Sequence, residues 1–158
     1  MDDGTVMCQS KAAARAVAIK LGYYSSDPNT IHAIDAILDF NQENHSDILG
    51  YAFAPERTPE GNQKWLDGWQ KKGDILEARL VGHGKQFVAG TDKPTLADFS
   101  VAGSYWGQYY NDQSVWKGEL HDGLAKIIET HPNLKRYLET TMKKELANYE
   151  AKREVYPF

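Results

Sequence analysis

The sequence predicts an all-α bundle, and three observations carry that reading. Apolar residues recur at helical spacing in every long segment of the 158-residue chain. Turn chemistry built from Gly, Pro, Ser and Asp separates those segments. Only Thr5-Val6-Met7-Cys8 reads as a β-prone run, and one strand cannot make a sheet, because its backbone groups stay unpaired. The pattern predicts about six main helices and at most a strand remnant near Thr5 to Cys8.

Asp2-Asp3-Gly4 is a turn signal ahead of that run, so the opening reads as the tail end of a larger domain. The first helix spans Lys11 to Leu21, with Ser10 as its expected cap and Gly22 as its stop. Its apolar face is made of small residues, Ala14, Val17 and Ala18 among them, which lets a neighbour approach closely. Ser25-Ser26-Asp27-Pro28 belongs to an irregular connector. The second helix runs from about Asn29 to Tyr51, with a stripe of Ile31, Ile34, Ile37, Leu38, Ile48 and Leu49. On it His32, Asp35 and Asp39 share one face. They are a conceivable metal triad, but an ordinary solvated face has the same composition, and no metal is assigned.

Residues 54–62 hold two prolines and a glycine and read as a loop. The third helix, about Gln63 to Gly82, turns Trp65, Trp69, Leu76 and Leu80 inward, with Lys71, Lys72, Glu77 and Arg79 on its wet side. The fourth is the best marked. Thr95 is an N-cap, and Asp98 stands where its carboxylate reaches back to the Thr95 N–H, forming a capping box. Leu96, Phe99, Ala102, Tyr105 or Trp106, and Tyr109 follow at helical spacing. Asp98 is therefore a structural residue rather than a catalytic one. A fifth helix covers about Leu120 to Thr130, and His131-Pro132-Asn133 stops it and starts the last, which carries Leu134, Tyr137, Leu138, Met142, Leu146 and Tyr149. The tail Val155-Tyr156-Pro157-Phe158 is too apolar to lie free in water and is expected to fold back on the bundle.

Composition excludes several functions. A net charge of -4, with no basic run, argues against a nucleic-acid partner. No apolar run approaches the roughly 20 residues of a membrane span, so a membrane is not expected either. A single cysteine, Cys8, fits a reducing compartment, and cytoplasm is the expected setting. No CxxC, HExxH, G-x-S-x-G or phosphate-cradling loop is present. Cys8 has no histidine near it in sequence and reads as a buried strand residue before it reads as a nucleophile. The aromatic group Tyr105, Trp106, Tyr109 and Tyr110 fits a core first and an apolar pocket second.

Several of these features, taken in order, resemble a cytosolic glutathione transferase, most like the sigma-type branch. They are Asp3-Gly4-Thr5, Gln9-Ser10, the helix with Ala12 and Arg15, Gly22, the T-x-A-D-F box from Thr95 to Phe99, and His131-Pro132-Asn133-Leu134. The run Ile34-Asp35-Ala36-Ile37-Leu38-Asp39 also resembles the helix that opens the all-α domain of that family. The resemblance implies a remnant of a thioredoxin-like domain over residues 1–24, comprising its last strand and helix. Residues 25–158 would then be the all-α C-terminal domain. It implies attack of the glutathione thiolate on an apolar electrophile, the thiolate being stabilised by a Tyr or Ser hydroxyl near the start of the thioredoxin-like domain. That position has no counterpart here, so no catalytic residue is assigned.

By the same resemblance, Gln9 and Ser10 hold the γ-glutamyl end of glutathione, which agrees with the attraction of a helix N-terminus for a carboxylate. The alternative is that Ser10 only caps and Gln9 only satisfies a strand edge. Arg15 matches a position facing a dimer partner, or is a solvated arginine. Tyr105, Tyr109 and Phe158 would line the pocket for the electrophile. Glutathione, apolar small molecules and a homodimer or larger protein assembly are the implied partners. Three readings follow: part of an active transferase, a non-catalytic structural or assembly module starting at Met1, or an unrelated bundle with similar motifs.

Overall fold

The computed structural model describes residues 4, 6–54, 56–154 and 156. Its elements are α1 (Ser10–Leu21), α2 (Pro28–Ala52), α3 (Pro59–His83), α4 (Leu96–Gln108), α5 (Glu119–Glu129) and α6 (Pro132–Arg136), then a π-helical turn (Tyr137–Met142) and α7 (Lys143–Glu150). The last three run on without a break, so the described residues form an all-helical bundle of about the expected number of rods. No strand occurs among the described residues. Thr5 lies outside them; Val6 is 93% exposed, and Cys8 is exposed rather than buried. With no second strand to pair with, this stretch has nothing to hold it inside.

Local chemistry explains the helix ends. Gly22 takes the left-handed conformation (φ 79) and its N–H bonds Ile19 O, while Tyr23 N–H bonds Ala18 O at 2.8 Å. This paired closure is what a glycine stop allows. α3 starts earlier than its apolar pattern suggested. Thr58 Oγ1 accepts from Gly61 N–H at 3.1 Å and Pro59 occupies the first turn, which turns residues 59–62 of the expected loop into helix.

α4 is the central rod, with Ala97, Val101, Ala102 and Tyr105 fully or almost fully buried. α2 packs on α3 and α4, and α3 on α5 and α6. The core joins Ile34 and Ile37 of α2, Trp65, Trp69, Leu76 and Leu80 of α3, Leu124 and Ile128 of α5, and Leu134, Leu138 and Met142. The expected wet side of α3 needs one correction. Lys72 is 0% exposed, because it stands three residues after Trp69 and four before Leu76, on the same helical face.

α1 is the outlying element. It leans on α4, where Leu96 N–H bonds Tyr23 O at 2.9 Å and the Tyr23 and Phe99 rings meet edge to face at 5.0 Å. Ala18 is its one buried residue, while Ile19 and Leu21 are 63% and 62% exposed. At the other end, Asn111 Nδ2 donates to Tyr156 O at 2.6 Å, but Tyr156 is 62% exposed, and Val155, Pro157 and Phe158 lie outside the described residues. No described helix is long and apolar enough to cross a membrane.

Candidate functional site

The site is built where α1 begins. Gln9 has φ 65 and ψ 103, and it is the one non-glycine residue with positive φ among those described. Such a conformation costs on the order of 1–3 kcal/mol and persists only where the surroundings hold it. It bends the chain into the helix one residue sooner than expected. Gln9 O already accepts from Ala13 N–H at 2.9 Å, so Gln9 is the N-cap and Ser10 is the first helical residue. Neither side chain caps: no side-chain bond closes this helix start. The first N–H groups of α1 therefore point outward without a side-chain acceptor, carrying the partial positive charge of the helix end. Gln9 and Ser10 are both exposed.

One cleft opens at this end of α1 and another runs along the helix from Ala13. The first, about 410 Å³, lies between α1, α2 and α4, and Ser10, Lys11, Asn41, Phe99, Ser100 and Ser104 are among its walls. Its polar floor is self-satisfied. Asn41 Nδ2 donates to Ser100 O at 3.0 Å and to Ser100 Oγ at 2.8 Å, and Ser104 Oγ donates to Asn41 Oδ1 at 3.1 Å. The second cleft, about 440 Å³, runs along Ala13, Val17, Leu21, Leu96 and Phe99 and is almost wholly apolar. Ser10 thus stands at the rim of the first cleft, and the apolar second cleft lies further along α1.

A polar seam fixes α1 against α2. Lys11 Nζ meets Asp39 Oδ1 at 2.8 Å, Arg15 Nε meets Asp35 Oδ1 at 2.8 Å, and Tyr24 Oη donates to Asp35 Oδ2 at 2.8 Å. The Asp35 carboxylate raises the Arg15 pKa, through its hydrogen bond first. Arg15 is thus engaged inside its own chain. Asp35 and Asp39, two members of the conceivable metal triad, are occupied by cations of α1, and no metal-holding group occurs among the described residues.

The remaining sequence-predicted residues lie elsewhere. Tyr105 is 0% exposed, edge-on to Trp69 with ring centroids 4.8 Å apart, and belongs to the core. Tyr109 is half-buried and stacks on His121 at 4.8 Å. Neither lines the two clefts at α1. Phe158 lies outside the described residues. The Thr95–Asp98 capping box is present. Asp98 Oδ2 accepts from Thr95 N–H at 2.7 Å and Thr95 Oγ1 at 2.9 Å; Oδ1 accepts from Val88 N–H at 2.9 Å and Tyr137 Oη at 3.1 Å. Burial raises the Asp98 pKa, and these four donors work against that rise. With two donors on each carboxylate oxygen, Asp98 has no acceptor position left for a substrate.

Sequence reasoning missed two polar residues. Lys72 was legible in the spacing of α3 but was discounted for its charge. Glu77 accepts from Asn133 N–H at 3.2 Å, Asn133 Nδ2 at 2.6 Å and Leu134 N–H at 2.8 Å. It caps α6 from another helix, which no local pattern announces.

No family model and no curated protein matches the sequence. Solved structures do match the fold. NaGST-2 superposes with a TM-score of 0.78 at 19% identity, covering 99% of this chain and 73% of its own. The glutathione S-transferase Blo t 8 gives 0.77 at 20%, covering 96% of this chain and 66% of its own. The glutathione S-transferase from Ascaris lumbricoides gives 0.78 at 21%, covering 99% and 73%. At these identities what is shared is the fold, and the chain has the helical fold seen in those transferase structures.

Proposed function

We propose that this chain is a glutathione-transferase-like protein of sigma-like character, with the N-terminus of α1 as its glutathione-binding element. The observation that carries the reading is the uncapped, outward-facing start of α1 at Gln9-Ser10, held in a left-handed backbone at the edge of the first cleft. The γ-glutamyl carboxylate takes the helix N–H groups and the Ser10 hydroxyl, and the Gln9 amide takes its polar neighbours. The apolar cleft and the exposed Val17, Ile19 and Leu21 are where a thioredoxin-like unit packs. In this proposal residues 1–24 belong to that unit, and Arg15 lies near a dimer interface. An apolar electrophile is conjugated when a hydroxyl of the thioredoxin-like unit stabilises the thiolate. Tyr105, Tyr109 and Phe158 are carried as pocket residues by resemblance alone.

In a polypeptide that joins this chain to a thioredoxin-like unit, Gln9→Ala or Ser10→Ala is expected to weaken glutathione binding about tenfold while leaving the KM for an aryl halide nearly unchanged. Unchanged glutathione affinity in both variants would remove the site from α1. A second reading, a non-catalytic structural or assembly module, is favoured by the self-satisfied floor around Asn41, which presents no spare polar group to a substrate. It predicts that the joined protein binds a protein partner and conjugates nothing.

A further inference from the structure

Another cleft, of about 370 Å³, lies between the end of α3 and the last helical run, and none of the residues at the two α1 clefts except those of the core lies near it in the chain. Lys85 and Gln86 contribute one wall, and Arg136, Thr140 and Thr141 the other, the two threonines standing on the π-helical turn. Leu80 and Tyr137, 5% and 2% exposed, supply its apolar part. No acidic residue is among those that line it, although the chain as a whole carries a net charge of -4. π-helical turns are rare and recur at functional sites.

The donors of this cleft are held in place and largely unengaged. Arg136 Nη2 donates to Asn133 Oδ1 at 2.9 Å, and Asn133 Nδ2 donates in turn to Glu77 Oε1 at 2.6 Å. This relay fixes one edge of the guanidinium and leaves its other N–H groups for a further acceptor. Glu77 itself does not line the cleft, and its oxygens are also taken by the Asn133 and Leu134 N–H groups. The Gln86 amide and the Thr140 and Thr141 hydroxyls have no side-chain hydrogen-bond partner among the described residues. Lys85 Nζ meets Asp92 Oδ1 at 2.6 Å, but the two side chains are 45% and 80% exposed. A pair so open to water contributes little and yields to a better-placed acceptor. Arg136 keeps its charge at every ordinary pH. Water solvates such donors without offsetting their charge. An oxyanion does both, and its oxygens match the guanidinium fork.

We propose that this cleft binds a small organic phosphate, with the phosphate on Arg136, Thr140 and Thr141 and a short body against Leu80 and Tyr137. The guanidinium fork occupies two acceptor oxygens. A carboxylate has no third, whereas a phosphate has one left for the threonine hydroxyls or Lys85. The volume exceeds that of a phosphate alone and leaves room for a body of a few carbons. The site is independent of the glutathione reading.

The test is calorimetric titration of the 158-residue chain, at neutral pH and low ionic strength, with glycerol 3-phosphate, inorganic phosphate, sodium acetate and glycerol. Glycerol 3-phosphate is expected to bind with a Kd below about 1 mM, inorganic phosphate more weakly, and acetate and glycerol not measurably. Arg136→Gln is expected to weaken glycerol 3-phosphate about tenfold and Thr141→Val about threefold. Lys20→Gln, on α1 and outside the cleft, is expected to leave it unmoved. No saturable heat with glycerol 3-phosphate, equal affinity for acetate, or an equal loss in Lys20→Gln and Arg136→Gln overturns the proposal. Should Arg136→Gln not fold, Thr141→Val and the acetate comparison decide.

Discussion

Asp98 shows how far a single residue extends beyond its local motif. The box with Thr95 is written in five consecutive residues, and a simple cap of that kind contributes about 1 kcal/mol. The sequence-level expectation for its loss is thus about 1–2 kcal/mol. In the fold the same carboxylate also holds Val88 N–H and Tyr137 Oη, contributed by the segment before α4 and by the π-helical turn. Removing it orphans several buried donors at once. Asp98→Ala is therefore expected to destabilise by about 3–4 kcal/mol in urea denaturation. A loss under about 1 kcal/mol would show that the long-range donors find other partners. The capping half of this role was legible because its partners are near in sequence. The other half was not, since no spacing rule links residue 88 or 137 to residue 98. Lys72 is the reverse case. The interval between Trp69 and Leu76 placed it inward, and only the general preference of lysine for water argued otherwise.

At the scale of elements, His131 clamps three helices together. Its Nδ1 meets Ile127 O at 2.6 Å, its Nε2 meets Asp74 Oδ1 at 3.0 Å, and its ring lies against Gly73, where an added Cβ would come within 3.0 Å of Cε1. Gly73, which weakens a helix intrinsically, is thus there for close approach. Burial alone would lower the His131 pKa, but the Ile127 carbonyl and the Asp74 carboxylate outweigh it and hold it above 6.5. Asp74 is held below 3.8, first by His131 and then by Gln70. The signs of the two contributions are opposite. The His131 contribution is complete below its unfolded pKa of 6.5 and fades as pH rises through the raised folded value. The Asp74 contribution is complete above 3.8 and fades as pH falls through its lowered value. Wild type is therefore expected to exceed His131→Asn in denaturation midpoint most clearly at about pH 5, and by much less at about pH 9. A difference independent of pH would mean that the ring acts by packing alone. His131-Pro132-Asn133 announced a helix boundary in the sequence, and the boundary is there. Its fastening to Asp74 and Glu77 of α3 was hidden, because those contacts span more than fifty residues.

At the scale of the molecule, the bundle was readable because its helices carry their own stops and starts: Gly22, Thr95 with Asp98, and His131-Pro132. The start of α1 was readable only in part. Ser10 announced a cap, but the positive φ of Gln9 beside it has no signal in local propensity. In the proposed reading that same end of α1 is what the chain offers to glutathione. A helix N-terminus, one hydroxyl and one amide supply charge-assisted bonds of about 1.5–3 kcal/mol each when well placed, and less at an exposed edge. Association costs an estimated 4 kcal/mol or more, which leaves such bonds only a small surplus. On the proposed function, this chain carries half of a glutathione site. The most direct measurement is calorimetric titration of the 158-residue chain with glutathione, run beside a conjugation assay with an aryl halide. The predicted result is millimolar binding or none, with no turnover. Micromolar binding or measurable conjugation by this chain alone would contradict it, and would place the glutathione site somewhere other than the start of α1.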